Sequence, residues 1–137
     1  CSRPKTRTSL LEMDVLSKVV KFANALKSPR ACYGVALTLY YLSLEADTHD
    51  MIFNSTQSFL KTYCASTDHE LSMIALQAMN NLLPCSDRIN LVHSVMELLQ
   101  GEKGKICQYN MRLVSGEIAP EIARDGFHHM LCILRNM

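Results

Sequence analysis

Residues 28–44, SPRACYGVALTLYYLSL, set the fold class. Ser28 can accept a hydrogen bond from a free N–H of a first helical turn. Pro29 suits the next position, because the N–H that proline lacks has no intrahelical partner there. After Arg30 no charged residue appears until Glu45. The run is too short to cross a bilayer, which takes about 20 apolar residues, and too apolar for a surface helix. It reads as the buried helix of a globular all-α domain.

Upstream, residues 1–8 are polar, with Arg3, Lys5 and Arg7 around Pro4, and read as a flexible basic lead-in to a single domain over 9–137. From Ser9, the apolar set Leu10, Leu11, Val15, Leu16, Val19, Val20 and Phe22 follows the helical period and predicts a first helix of about 18 residues, ended at Ser28-Pro29. Downstream, Asp47 and Thr48 offer caps for a helix over 49–64. Thr67 and Glu70 have capping-box spacing for a fourth helix that Pro84 stops. Asp87 suits the start of a fifth, closed by Gly101, after which residues 101–104 (GEKG) make an exposed corner. A sixth helix is expected over 105–115. Pro120 then opens a short helix ending at Asp125-Gly126, and residues 127–137 form a last one.

The composition agrees with this class. At 137 residues and 48% hydrophobic the chain can fill a sizeable core as one domain. Fourteen basic against 13 acidic side chains leave a formal charge of +1, so no overall field demands nucleic acid or an anionic membrane. The sequence has no apolar run of transmembrane length and no secretory leader, and it begins at Cys1. We expect a piece of a longer protein. The six cysteines (Cys1, Cys32, Cys64, Cys85, Cys107, Cys132) permit a disulfide framework. Four of them, however, sit inside apolar helical patterns, where a thiol packs as a small hydrophobe. The expected location is therefore intracellular, cytoplasmic or nuclear.

Sliding the chain against itself by 39 residues brings Ala36 onto Ala75, Leu37 onto Leu76, Tyr40 onto Met79 and Leu44 onto Leu83. The same offset pairs Ile52 with Leu91, Phe53 with Val92, Phe59 with Leu98 and Leu60 with Leu99. A second step places Met130, Leu131 and Leu134 under Leu91, Val92 and Val95, although the first helix of that third unit does not fit. Periods near 40 residues with two or three helices per unit belong to helical solenoids, whose stacked pairs share one continuous core. The alternative is a compact bundle of helices of similar length.

Residues 119–134, APEIARDGFHHMLCIL, resemble the armadillo-repeat pattern of a short polar helix, a Gly at the turn and a helix with spaced leucine-like residues. Residues 70–83, ELSMIALQAMNNLL, are similar to the long helix that precedes it in such repeats, and residues 30–44 fit that helix less well. No short helix fits between Cys64 and Thr67, which makes the middle more like a two-helix HEAT repeat. The resemblance implies an all-α fold, a right-handed α-solenoid of armadillo/HEAT-like helix pairs with about seven to eight helices. It also implies a scaffold or adaptor that holds a peptide or helical segment of a partner protein in a groove lined by the last helix of each repeat. Carried onto this chain, the groove candidates are Asn54, Gln57 and Lys61, then Asn90, His93 and Glu97, then His128 and Arg135, with Asn81 added from the end of its helix. Asn and Gln there would hydrogen-bond a peptide backbone without reading its side chains.

Two other functions are open: an oligomerisation or spacer domain that self-associates through the apolar ends of an array, and a secreted disulfide-linked helical bundle. Catalysis and metal binding find little support. No CxxC occurs, and His128, His129 and Cys132 on one helix leave a zinc set incomplete. Nothing resembles a nucleophile elbow or a phosphate-gripping glycine loop, so no enzyme activity and no cofactor are expected. Nucleic acid is disfavoured because acidic side chains interrupt the cations.

Overall fold

Ser28 Oγ accepts from Ala31 N at 3.4 Å, and Pro29 occupies the first turn behind it. In the computed structural model, which describes residues 15–137, this cap opens the second of seven α-helices. They are α1 (Val15–Leu26), α2 (Pro29–Ser43), α3 (His49–Cys64), α4 (His69–Asn81), α5 (Arg88–Leu99), α6 (Lys105–Val114) and α7 (Pro120–Asn136), with a 3-10 turn at Ala46–Thr48 between α2 and α3. No strand occurs among the described residues. The basic lead-in and the start of the first helix lie outside them.

α4 packs most extensively on α2, and also on α3 and α7; α3 touches α1, α2 and, more lightly, α5; α6 bridges α5 and α7. The buried centre of this arrangement is α4 rather than the uncharged stretch that precedes it. Leu71, Ser72, Met73, Ala75, Leu76, Ala78 and Met79 are all buried, on nearly every face of α4. In α2 only Val35, Ala36, Leu39, Leu42 and Ser43 are, while Tyr33, Gly34 and Tyr41 meet solvent. Absence of charge therefore overstated the burial of α2. The small residues of α4 do what apolar bulk alone cannot, because Ser72, Ala75 and Ala78 let three neighbouring helices approach one backbone.

Side-chain bonds tie the ends of these helices to one another. Thr48 does not cap α3; its hydroxyl lies 2.8 Å from Leu42 O and 2.7 Å from Glu45 O, with one hydrogen shared between them, and His49 Nε2 donates to Ser43 O at 2.8 Å. Leu42 and Ser43 are the last residues of α2, so both side chains tie its end to the start of α3. Asp68, not Thr67, caps α4, its Oδ1 accepting from Leu71 N at 3.0 Å. Asp87 stands at the start of α5 but accepts from Asn90 Nδ2 rather than from the helix backbone. Buried Ser72 Oγ donates to Cys64 O at 2.6 Å. Asp50 accepts both N–H and O–H of Ser86, which holds its carboxyl below the usual range and ties the α4–α5 loop to α3.

Over its first step the 39-residue offset matches burial at some positions and not at others. Ala36 and Ala75, Ile52 and Leu91, and Leu60 and Leu99 are pairs of buried residues, but Leu44 is exposed where Leu83 is buried, and Leu37 and Tyr40 are half-buried where Leu76 and Met79 are buried. The second step fails. α7 packs on α4 and α6, so Met130 and Leu134 are not counterparts of Leu91 and Val95 on α5. Leu131 is exposed where its proposed equivalent Val92 is half-buried. Neither is there a turn at Gly126. A single helix runs from Pro120 to Asn136, and the glycine serves close packing instead. A Cβ there would fall 2.5 Å from Tyr109 Cε1. The short-helix, glycine-turn, long-helix reading of residues 119–134 is thus replaced by one helix notched to receive a tyrosine. The five described cysteines are free thiols.

Two glycine substitutions should act in opposite directions. Gly126→Ala forces Tyr109 out of its seat, with an expected loss of about 1–3 kcal/mol for overpacking. A Cβ on Gly34, inside α2, meets nothing within 4 Å, so Gly34→Ala should add about 0.5–1 kcal/mol. Urea denaturation of both variants checks the pair; equal effects would contradict the close approach at Gly126.

Candidate functional site

The groove candidates lie on four helices. Asn54 and Gln57 on α3 and Asn90, His93 and Glu97 on α5 are exposed, and Lys61 is half-buried. Where α3 meets α5, Lys61 and Glu97 line one shallow concavity of about 350 Å³ together with Thr62 and Ser94. His93 Nε2 lies 3.2 Å from Glu97 Oε1, and Asn90 is held by Asp87. Asn81 is engaged elsewhere, its Nδ2 donating to Ser43 Oγ at 3.1 Å and so pinning α4 to α2. His128 and Arg135 are exposed on α7, which packs on α4 and α6. His128 Nε2 faces Cys132 Sγ at 3.7 Å, while His129 turns away to Asp125. Of the candidates, Lys61 of α3 and Glu97 of α5 share one concavity, while Asn81 is engaged with α2.

A second group of polar residues gathers where α4, α6 and α7 meet. Tyr109, 1% exposed, points its hydroxyl at His69 Nδ1, 2.7 Å away. His69 Nε2 is 2.7 Å from Asp125 Oδ2, and His129 Nε2 is 3.4 Å from Asp125 Oδ1. One consistent assignment runs along the chain, with Tyr109 O–H donating to Nδ1 and Nε2–H donating to the carboxylate. Both nitrogens of His69 are then occupied, leaving no lone pair for a general base. The relay acts as a staple between the start of α4 and the middle of α7. Burial raises the Tyr109 phenol above its ordinary value. Among the described residues no group of three or more His, Cys, Asp or Glu side chains could hold a metal ion, and no helix is long and apolar enough to cross a membrane.

Next to the staple lies a pocket of about 350 Å³, lined by Ser66, Thr67, Lys105, Gln108, Met111, Arg112, Ser115 and Glu117. Lys105 is only 4% exposed. Its Nζ donates to Ser66 O at 3.2 Å and sits 5.2 Å from the Tyr109 ring centre. Burial pushes its ammonium down to about 8, and burial pushes the neighbouring Cys64 thiol up to about 12, so that group is neutral. The Arg112 guanidinium lies 5.7 Å from the Tyr109 ring centre and pairs loosely with Glu117 at 3.6 Å.

These features decide how far likeness can be used. No family model, curated protein or solved structure matches the chain.

Of the residues around Tyr109, only His129 stands out in the sequence, as a member of an incomplete zinc set. The signal that marks them is spatial, since His69 and Asp125 are 56 positions apart and Lys105 and Ser66 are 39 apart. Only a lysine placed at an inward helical position, one turn before Tyr109, hinted at it.

The staple makes stability depend on pH in a stated direction. Burial lowers His129 below its ordinary value of 6.5, against the opposing pull of Asp125. The unfolded chain then takes up this proton more readily than the folded one. The stabilisation is complete above that value and fades as the pH falls through the region below it. Denaturant midpoints measured from about pH 7.5 down to about pH 5 should decline, and His129→Gln should flatten part of the decline; identical pH profiles would contradict the assignment.

Proposed function

We propose that the domain is a protein-interaction module, a scaffold or adaptor of armadillo/HEAT-like α-solenoid type, which binds a peptide or helical segment of a partner on the face shared by α3 and α5. The observation that supports this reading is a partial recurrence of buried positions at a 39-residue step, Ala36 with Ala75, Ile52 with Leu91 and Leu60 with Leu99. The polar side chains of α3 and α5 then stand on neighbouring helices. Asn54 and Gln57 leave their amides unbonded to the protein among the described residues, as extended-peptide recognition requires. Lys61 and Glu97 supply opposite charges in one concavity, which would fix the polarity of a bound segment.

The second reading is self-association. α1 leaves Val19, Phe22 and Leu26 exposed, Phe22 at 66%, and such a row on one helix favours a spacer or oligomerisation domain.

A peptide array probed with the wild-type domain and with Asn54→Ala/Lys61→Ala separates the two. Interaction through the α3–α5 face predicts peptides whose affinity falls at least about tenfold in the double variant, or about 1.4 kcal/mol. Unchanged binding removes that face. Sedimentation showing concentration-dependent association that Phe22→Glu abolishes would favour the spacer instead.

A further inference from the structure

We propose that the pocket between the α3–α4 loop and α6, with Lys105 at its floor and Arg112 at its wall, is a binding site for a carboxylate presented by a partner polypeptide. The proposal rests on the interaction-module reading but places a recognition site outside the α3–α5 face.

Among the described residues Lys105 carries a charge that lacks a counter-charge. Lys105 is 4% exposed, and its Nζ has one protein acceptor, Ser66 O at 3.2 Å. No carboxylate pairs with it among the described residues. A buried ammonium normally gains an acidic partner, because desolvation is expensive and one carbonyl returns little of it. Another cation, Arg112, lines the same pocket; burial holds the Lys105 ammonium down, the Cys64 thiol opposes this, and Arg112 adds to it. The amine therefore sits where an apolar side chain of equal length would serve the fold at least as well. Local rules broken in this way concentrate at functional sites.

The surroundings specify the missing partner. Arg112 meets Glu117 only through Nε, at 3.6 Å, which leaves its two Nη groups without a protein acceptor among the described residues. Ser66 Oγ accepts from Asp68 N at 3.1 Å, so its hydroxyl hydrogen remains available at the pocket. The charged side chains lining the cavity are two cations and one carboxylate, Glu117. That is a net single positive charge. A carboxylate, a monoanion, balances it. The volume of about 350 Å³ accommodates a carboxylate with the few carbons that carry it, against Met111.

Two sources offer such a group, an Asp or Glu side chain or a free chain terminus. The test titrates the whole isotope-labelled chain by NMR with three probes: hexaglutamate blocked at both ends, triglycine with a free carboxyl terminus, and inorganic phosphate. Saturable shifts centred on Ser66, Thr67, Lys105 and Arg112 are expected with at least one carboxylate probe, and which of the two it is identifies the source. The affinity should fall at least tenfold in Lys105→Met, whose melting temperature should be no lower than that of the wild type, and also in Arg112→Gln. The proposal is overturned if neither carboxylate probe shifts these residues, if phosphate binds there as tightly as carboxylate, or if the affinity survives in both variants. If Lys105→Met unfolds, it overturns the claim that the amine is not needed for the fold, and Arg112→Gln still decides binding. A silent pocket in a domain that captures peptides through Asn54 and Lys61 would end this proposal and leave the interaction reading intact.

Discussion

The structure depends on how closely α2, α3 and α7 can approach α4. Three helices can surround a fourth only if its side chains are short where the backbones come nearest. Ser72, Ala75 and Ala78 satisfy that constraint, while Met73, Leu76 and Met79 fill the spaces between them, all at 4% exposure or less. Interiors packed to this density tolerate few changes of volume. Other local features follow from it, including the Asn81–Ser43 and Asn136–Asn80 bonds between neighbouring helices.

The same closeness explains the chemistry beside it. Where α7 descends onto α4, Gly126 gives up its side chain so that Tyr109 of α6 can enter. The tyrosine brings a hydroxyl into the interior, and His69 and Asp125 satisfy it in turn. Around that ring stand Lys105 and Arg112. A buried aromatic with a polar tip organises the polar groups near it, since each buried donor needs an acceptor. Lys105 alone is left with a charge and no opposite charge, and the carboxylate proposal grows from that imbalance.

Much of the fold was legible in the residues, for reasons that can be named. Ser28-Pro29 is a local signal with a local cause, and the cap formed as read. Apolar residues at helical spacing located the described helices up to α6, while the single helix α7 was read as two. Signals that depend on neighbours were misread. Gly126 looks like a turn because glycine often is one, yet only contact with a tyrosine 17 positions earlier explains it. Thr48 has the side chain of an N-cap, but the open carbonyls of α2 lay within its reach. Ala75 and Ala78 carry no bulk, so the helix they belong to looked less central than the leucine- and tyrosine-rich α2. The site was less legible than the fold. Exposure of Asn54 and Gln57 follows from helical period; the meeting of Ser66, Lys105 and Arg112 follows from tertiary packing alone.

Native-state hydrogen exchange tests the central role of α4 most directly. Amides of Ala75, Leu76, Ala78 and Met79, together with Met130 and Ile133 on the part of α7 that packs on them, are expected to exchange only through global unfolding, whereas amides of α1 exchange through local opening. Exchange of the α4 amides at the rate of those in α1 would contradict the claim that the fold is assembled around that helix.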